Sequence, residues 1–152
     1  MVERTEIADD ADPVGPCVSS GLSSLTIIVL NGRVFSGEGA GEKFLGLSWV
    51  QRQLKEKTGF VPFPGTLNIK LTKKSVQLRR LMEEKVSIRL NPPEGYCSGL
   101  VFNGSVGELK CAVIVPLVQG YPADVLEIIA EVNIRKTLNL LDGDTVSVAV
   151  EV

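Results

Sequence analysis

Histidine is missing altogether from this 152-residue chain. Its absence excludes a Ser-His-Asp triad, a Cys-His dyad and any zinc site built on imidazole. Cysteine is scarce: Cys17, Cys97 and Cys111 are odd in number and share no C-x-x-C spacing. They read as buried or idle thiols of a reducing cytosol, and nothing requires a Cys97–Cys111 bridge across a hairpin. Long apolar runs are lacking too, because the longest, "LTIIVL" from Leu25 to Leu30, is far too short to span a membrane. The first residues, "MVERTEIADDADPVGPCVSSGLSS", hold no apolar segment of the kind that signal peptides carry, so the expectation is a cytoplasmic protein. Basic excess is missing as well. A net charge of −2 and a pI near 5.2 give no positive field for a polynucleotide, and only 5% of the residues are aromatic. No nucleic-acid partner and no membrane partner are expected.

What is present fits one globular domain, with 44% hydrophobic and 22% charged residues. Residues 1 to 23 read as a flexible N-terminal extension, since they lack apolar periodicity, and residues 24 to 152 as the folded domain. "LTIIVLNGRVF" reads as a strand and "GEGAGEKF" as a glycine-dense loop. "SWVQRQLKEK" suits a helix capped by Ser48 and closed by Gly59, with Trp49, Val50 and Leu54 facing the core. "SVQLRRLMEEK" is expected to be a second helix, capped by Ser75. "VSIRL", a hairpin turning at Asn103-Gly104, and "TVSVAVEV" supply further strands. "ADVLEIIA" and "NIRKTLNL" are each expected to be short helices. The sum is all-β in class, β-rich with two to four short helices and about six strands, at turn spacings suited to a small barrel. A doubly wound sheet does not fit, because regular β-α alternation is absent.

Three stretches can carry chemistry. In "FPGTLNIKL" (Phe63 to Leu71), Thr66 and Asn68 lie two apart, so a strand would point both to one face. Turn chemistry explains such residues after Pro-Gly, and so does a shared hydrated cation held by neutral oxygens beside a nucleotide's phosphates. In "SGEGAGEKF", Gly37, Gly39 and Gly41 recur at every second residue, which lets amides converge on phosphate oxygens. It is neither a Walker A loop nor a dinucleotide fingerprint, and a plain turn is the competing explanation. In "QGYPADVLEIIAEVNIRKTL", Asp124, Glu127 and Glu131 fall at helical spacing, as on a solvated helix face. Arg135 is placed to meet an anion or to pair with Glu131.

Together "GRVFSGEGAGEKFLGL", "GFVPFPGTLNIKL", "YPADVLEIIA" and "LLDGDTVSV", in that order and spacing, resemble the archaeal CTP-dependent riboflavin kinases over roughly Leu25 to Val152. The resemblance implies a six-stranded cradle-loop barrel that transfers the terminal phosphate of CTP to the 5′-hydroxyl of riboflavin, giving FMN and CDP. It implies nucleotide contacts at Gly37, Glu38, Gly39, Ala40, Gly41 and Glu42, and at Val132, Asn133, Ile134 and Arg135. It implies a magnesium ion on Thr66 and Asn68, and flavin contacts at Gln119 and Glu127. Glu127 is the expected catalytic acceptor of the hydroxyl proton, or its hydrogen-bond anchor. The chain departs from the family pattern where Ala40 replaces a Glu, Gln119 a Thr and Asn133 a Lys. Losing that Lys removes a charge-assisted hydrogen bond worth about 1.5–3 kcal/mol. The altered loop leaves a non-catalytic flavin or nucleotide sensor as the alternative, and a DNA-binding barrel of the same fold as a weaker one. A monomer is expected.

Overall fold

The computed structural model describes residues 5–7, 26–37, 39–85 and 88–152. Within them lie eight strands and four helices: β1 (Thr5–Ile7), β2 (Thr26–Phe35), α1 (Ala40–Leu45), α2 (Ser48–Thr58), β3 (Leu67–Leu71), α3 (Lys73–Glu83), β4 (Ile88–Leu90), β5 (Gly99–Val106), β6 (Leu109–Pro116), β7 (Val125–Ile129), α4 (Ile134–Thr137) and β8 (Thr145–Glu151). Every pairing is antiparallel. Six strands close on themselves in the order β2-β3-β7-β6-β5-β8 and back to β2, while β1 adds to β2 and β4 to β5. This is the six-stranded β-rich barrel expected from the sequence. Of residues 1 to 23, the structure describes only Thr5–Ile7; the remainder of that expected extension lies outside the described residues.

Alternation builds the barrel. Ile28, Leu30 and Val34 of β2, Leu67, Ile69 and Leu71 of β3, Leu126 and Ile128 of β7, and Val146, Val148 and Val150 of β8 point inward into one buried cluster. Phe102 and Val113 fill the same interior, and Met82 of α3 packs onto it. A second cluster lies outside the barrel, where Leu45, Trp49, Val50 and Leu54 of α1 and α2 cover Val101, Ala112, Ile114 and Ile129. Strands β5, β6 and β7 are therefore buried on both faces over most of their length.

That double burial overturns one expectation. "ADVLEIIA" is not a helix: its Val125–Ile129 is strand β7, between β3 and β6. A strand covered on both sides reads as an unbroken apolar run, and the spacing of Asp124, Glu127 and Glu131 then mimics a helical period. The hairpin turn is displaced too. Asn103 and Gly104 are inside β5, and Gly107, at φ 61°, makes the turn. Gly104 is needed for closure, because a Cβ there would stand 2.4 Å from the Ala149 carbonyl oxygen of β8.

The helix starts also differ. Ser48 is the first residue of α2, after an extended Leu47 without a side-chain cap. Thr72, not Ser75, caps α3, accepting from the Ser75 amide at 3.2 Å. Ser75 is buried, and its hydroxyl accepts from the Asn31 amide at 2.8 Å, which ties α3 to β2. "NIRKTLNL" yields only the single turn of α4. Cys97 and Cys111 are both free thiols, Cys97 exposed and Cys111 buried.

Candidate active site

Register places the site. Phe35 pairs with Asn68, Asn68 with Glu127 and Glu127 with Ile114, so these four residues form one row across β2, β3, β7 and β6. Their inward neighbours Leu67, Ile69, Leu126 and Ile128 fill the core, and the row itself faces outward. Thr66, two residues before Asn68, joins it. Its Oγ1 lies 3.3 Å from Asn68 Oδ1 and 3.3 Å from Glu127 Oε1. The side chains that the strand period put on one face do converge.

The glycine-rich segment runs directly over this row. At Gly37 a Cβ would stand 2.4 Å from Asn68 Nδ2, and at Gly41 it would stand 2.2 Å from Glu127 Oε1 and 2.8–2.9 Å from Thr66. Both positions must lack a side chain for the backbone to lie so close. The segment is not wholly a loop, because Ala40 to Leu45 winds into α1, whose Leu45 is buried against the barrel. Glu38, an expected nucleotide contact, lies outside the described residues.

Two hollows meet at this row. A polar cleft of about 530 Å³ is lined by Ser36, Gly37, Gly39, Gly41, Glu42, Thr66, Asn68, Glu127 and Arg135, among others. An apolar pocket of about 280 Å³ is walled by Phe44, Leu45, Ile114, Pro116, Val118 and Tyr121. Gly41, Thr66 and Glu127 belong to both. Glu127 is only 8% exposed and carries a donor on each oxygen: Thr66 Oγ1 on Oε1, and the Tyr121 hydroxyl on Oε2 at 2.5 Å.

No local sequence pattern singles out Tyr121. Burial, then the Glu127 carboxylate as acceptor and as charge, push its phenol well above the ordinary range, against an opposing pull from Arg79. The Arg79 guanidinium lies 5.6 Å from the Tyr121 ring centre. Arg79 is 4% exposed and donates to the carbonyls of Pro122, Ala123 and Val125 and to Glu83. It thereby fixes the segment that leads from Tyr121 into β7. A long polar side chain inside an α3 pattern of this kind looks like any surface arginine in sequence.

Arg135 lines the cleft, but its expected partner is replaced. It pairs with Asp142 Oδ1 at 2.8 Å rather than with Glu131, and Ser36 Oγ donates to the same carboxylate at 2.9 and 3.0 Å. These bonds, from Ser36 first and Arg135 second, hold the Asp142 carboxyl below its usual range. Of the remaining expected nucleotide residues, Ile134 is buried in the core and Val132 is exposed. Asn133 caps α4, its Oδ1 accepting from the Lys136 amide at 3.1 Å, and lines a separate hollow with Arg135 and Lys136. Gln119 lies in a hollow shared with Arg79, Arg80 and Tyr121, and lines neither the cleft nor the apolar pocket.

The donor set at the row consists of oxygens alone: a hydroxyl, an amide and one carboxylate. Such a set suits a hard divalent cation that takes most of its ligands from water or phosphate. No cluster of three or more Asp, Glu or Cys residues able to cage a metal occurs among the described residues. No helix there is long and apolar enough to cross a membrane.

The CTP-dep_RFKase family model, described as "Domain of unknown function DUF120", matches residues 34–150 of the chain. A riboflavin kinase of Methanosarcina barkeri is 41% identical over 131 residues, covering 82% of this chain and 57% of that protein. A riboflavin kinase of Archaeoglobus fulgidus is 38% identical over 130 residues, covering 81% and 54%. A riboflavin kinase of Ignicoccus hospitalis is 39% identical over 127 residues, covering 81% and 71%. The chain thus spans just over half the length of the first two relatives.

Proposed function

The chain belongs to the CTP-dependent riboflavin kinase family, and on that footing we propose that it transfers the terminal phosphate of CTP to the 5′-hydroxyl of riboflavin. The observation that carries this reading is the shared wall between the two hollows. A charged triphosphate suits the polar cleft, a flat apolar ring system suits the pocket behind Phe44 and Ile114, and Glu127 stands where the two ligands would meet.

The residues divide the work accordingly. Gly37, Gly39, Gly41 and Glu42 line the cleft, where the glycine amides would meet phosphate oxygens. Arg135, held by Asp142, brings a cation to the same cleft. Thr66 and Asn68 are the residues that would hold magnesium, which when bound offsets charge on the terminal phosphates. In the transfer, the riboflavin 5′-oxygen forms a bond to the γ-phosphorus as the bond from that phosphorus to the β–γ bridging oxygen breaks. CDP leaves, and the hydroxyl proton passes to Glu127. The stretch Val132 to Arg135 would bear the rest of the nucleotide, Arg135 from the cleft and Asn133 through its amide nitrogen while its oxygen caps α4. Gln119 would touch the flavin only if its segment turned inward, so the pocket residues named above are the stronger contacts.

The test is FMN formation from riboflavin and magnesium with CTP or ATP. We expect FMN with CTP, and a product seen with ATP alone would revise the nucleotide. Thr66→Ala and Asn68→Ala should each lower magnesium-dependent turnover at least about tenfold, the loss of one good contact to a charged group. Riboflavin binding supplies a separate readout. Trp49, the single tryptophan, lies 5.9 Å ring to ring from Phe44 of the apolar pocket, so its fluorescence should fall on binding. Quenching without turnover would identify a sensor instead.

A further inference from the structure

Two donors reach Glu127, and they are not equivalent. A terminal carboxylate torsion is broad and roughly two-fold, so one donor alone does not fix which oxygen points where. Thr66 has a single hydroxyl proton, and two acceptors compete for it at the same 3.3 Å, Asn68 Oδ1 and Glu127 Oε1. Whenever that proton turns to Asn68, Thr66 no longer restrains the carboxylate. Tyr121 has no such choice: its hydroxyl donates to Oε2 at 2.5 Å and, among the described residues, to no other side chain.

The ring is fixed in turn. Arg79 lies against one side of it and spends its own donors on three carbonyls of the segment 122–125 and on Glu83. Tyr121 also walls the apolar pocket, next to Glu127. With Oε2 occupied from the Tyr121 side, Oε1 is left facing Gly41 and the mouth shared by cleft and pocket.

We propose that Tyr121 is the positioning residue of the site: its hydroxyl, steadied by Arg79, locks the Glu127 carboxylate so that Oε1 meets the substrate hydroxyl. The phenol keeps its proton throughout the neutral range, since burial and the neighbouring carboxylate both oppose its loss, so it acts only as a donor. This assignment rests on the kinase reading above and adds a residue to it.

Tyr121→Phe tests it, because it removes the hydroxyl and keeps the ring that walls the pocket and faces Arg79. Measured with riboflavin, CTP and magnesium well below the melting midpoint, kcat should fall about tenfold or more, as for loss of a hydrogen bond to a charged group. The KM for CTP and the riboflavin affinity read from Trp49 quenching should stay within about threefold of wild type, a change of under ~0.7 kcal/mol. An unchanged kcat overturns the proposal. So does a loss in kcat matched by an equal loss in riboflavin affinity, since Tyr121 would then only shape the pocket. A wild-type chain that forms no FMN overturns the kinase reading and this assignment together, which separates the two failures.

Discussion

Among the glycines that line the cleft, Gly41 is the most tightly constrained. A Cβ there would stand 2.2 Å from Glu127 Oε1, a separation that no carbon tolerates, and both Thr66 and the start of α1 would have to yield with it. Gly41→Ala should therefore displace the carboxylate by a large fraction of an ångström. Misplacement on that scale costs on the order of 10²-fold in rate, even with the fold intact. The check is turnover at saturating CTP together with the circular dichroism of the variant; a folded, fully active Gly41→Ala protein would show that α1 lifts away during the reaction. The same residue illustrates what sequence can and cannot yield. The alternation of Gly37, Gly39 and Gly41 was legible in the sequence. The reason differs in part, for Gly37 and Gly41 must lie bare against Asn68 and Glu127 whatever amides they offer to a ligand. Thr66 and Asn68 were readable because a strand period of two needs no tertiary knowledge. Tyr121 and Arg79 were not, since their importance comes from a contact made across a loop.

At the scale of elements, the misread strand β7 has the widest reach. Read as a helix, "ADVLEIIA" sets Glu127 on a solvated face; as a strand it is a buried carboxylate between Asn68 and Ile114. No local signal separates the two, because burial on both faces erases the alternation that marks a strand. Gly59 closes α2 in the left-handed conformation, as expected from the sequence, whereas the N-caps of α2 and α3 fall at Leu47 and Thr72, ahead of the expected Ser48 and Ser75. For α4 the cap is Asn133, where the family resemblance leads one to expect Lys. Asn133→Ala should lower stability by about 1 kcal/mol, the usual cost of losing an Asn cap. Asn133→Lys should cost the same while tightening nucleotide binding. Urea denaturation and the KM for CTP, measured on both variants, check the pair; equal KM values would place residue 133 outside the nucleotide's reach.

For the whole molecule, closure of the barrel makes one thiol a reporter of unfolding. Cys111 is fully buried, and burial pushes its thiol from 9.0 up to about 12. A group whose pKa is raised on folding supports the folded state below its unfolded value and withdraws that support as pH rises toward the folded one. Stability should therefore decline between roughly pH 9 and 12, and Tyr121, raised for similar reasons, adds to the decline at the alkaline end. Near pH 8, peptide mapping after iodoacetamide treatment should find Cys97 modified quickly and Cys111 only at the rate of global opening. Equal labelling of the two would mean that β6 opens locally.

Along β3 and the residue before it, side chains facing the interior and side chains facing the cleft take turns: Leu67 and Ile69 one way, Thr66 and Asn68 the other. A slip of this strand by one place would push an amide into the oil of the interior and expose isoleucine on the cleft face. Molecules with that error lose cohesion and chemistry in a single stroke. Preparations should thus contain working protein and collapsed protein, with no well-folded idle fraction arising from β3, and specific activity becomes a direct gauge of how many copies are correctly threaded.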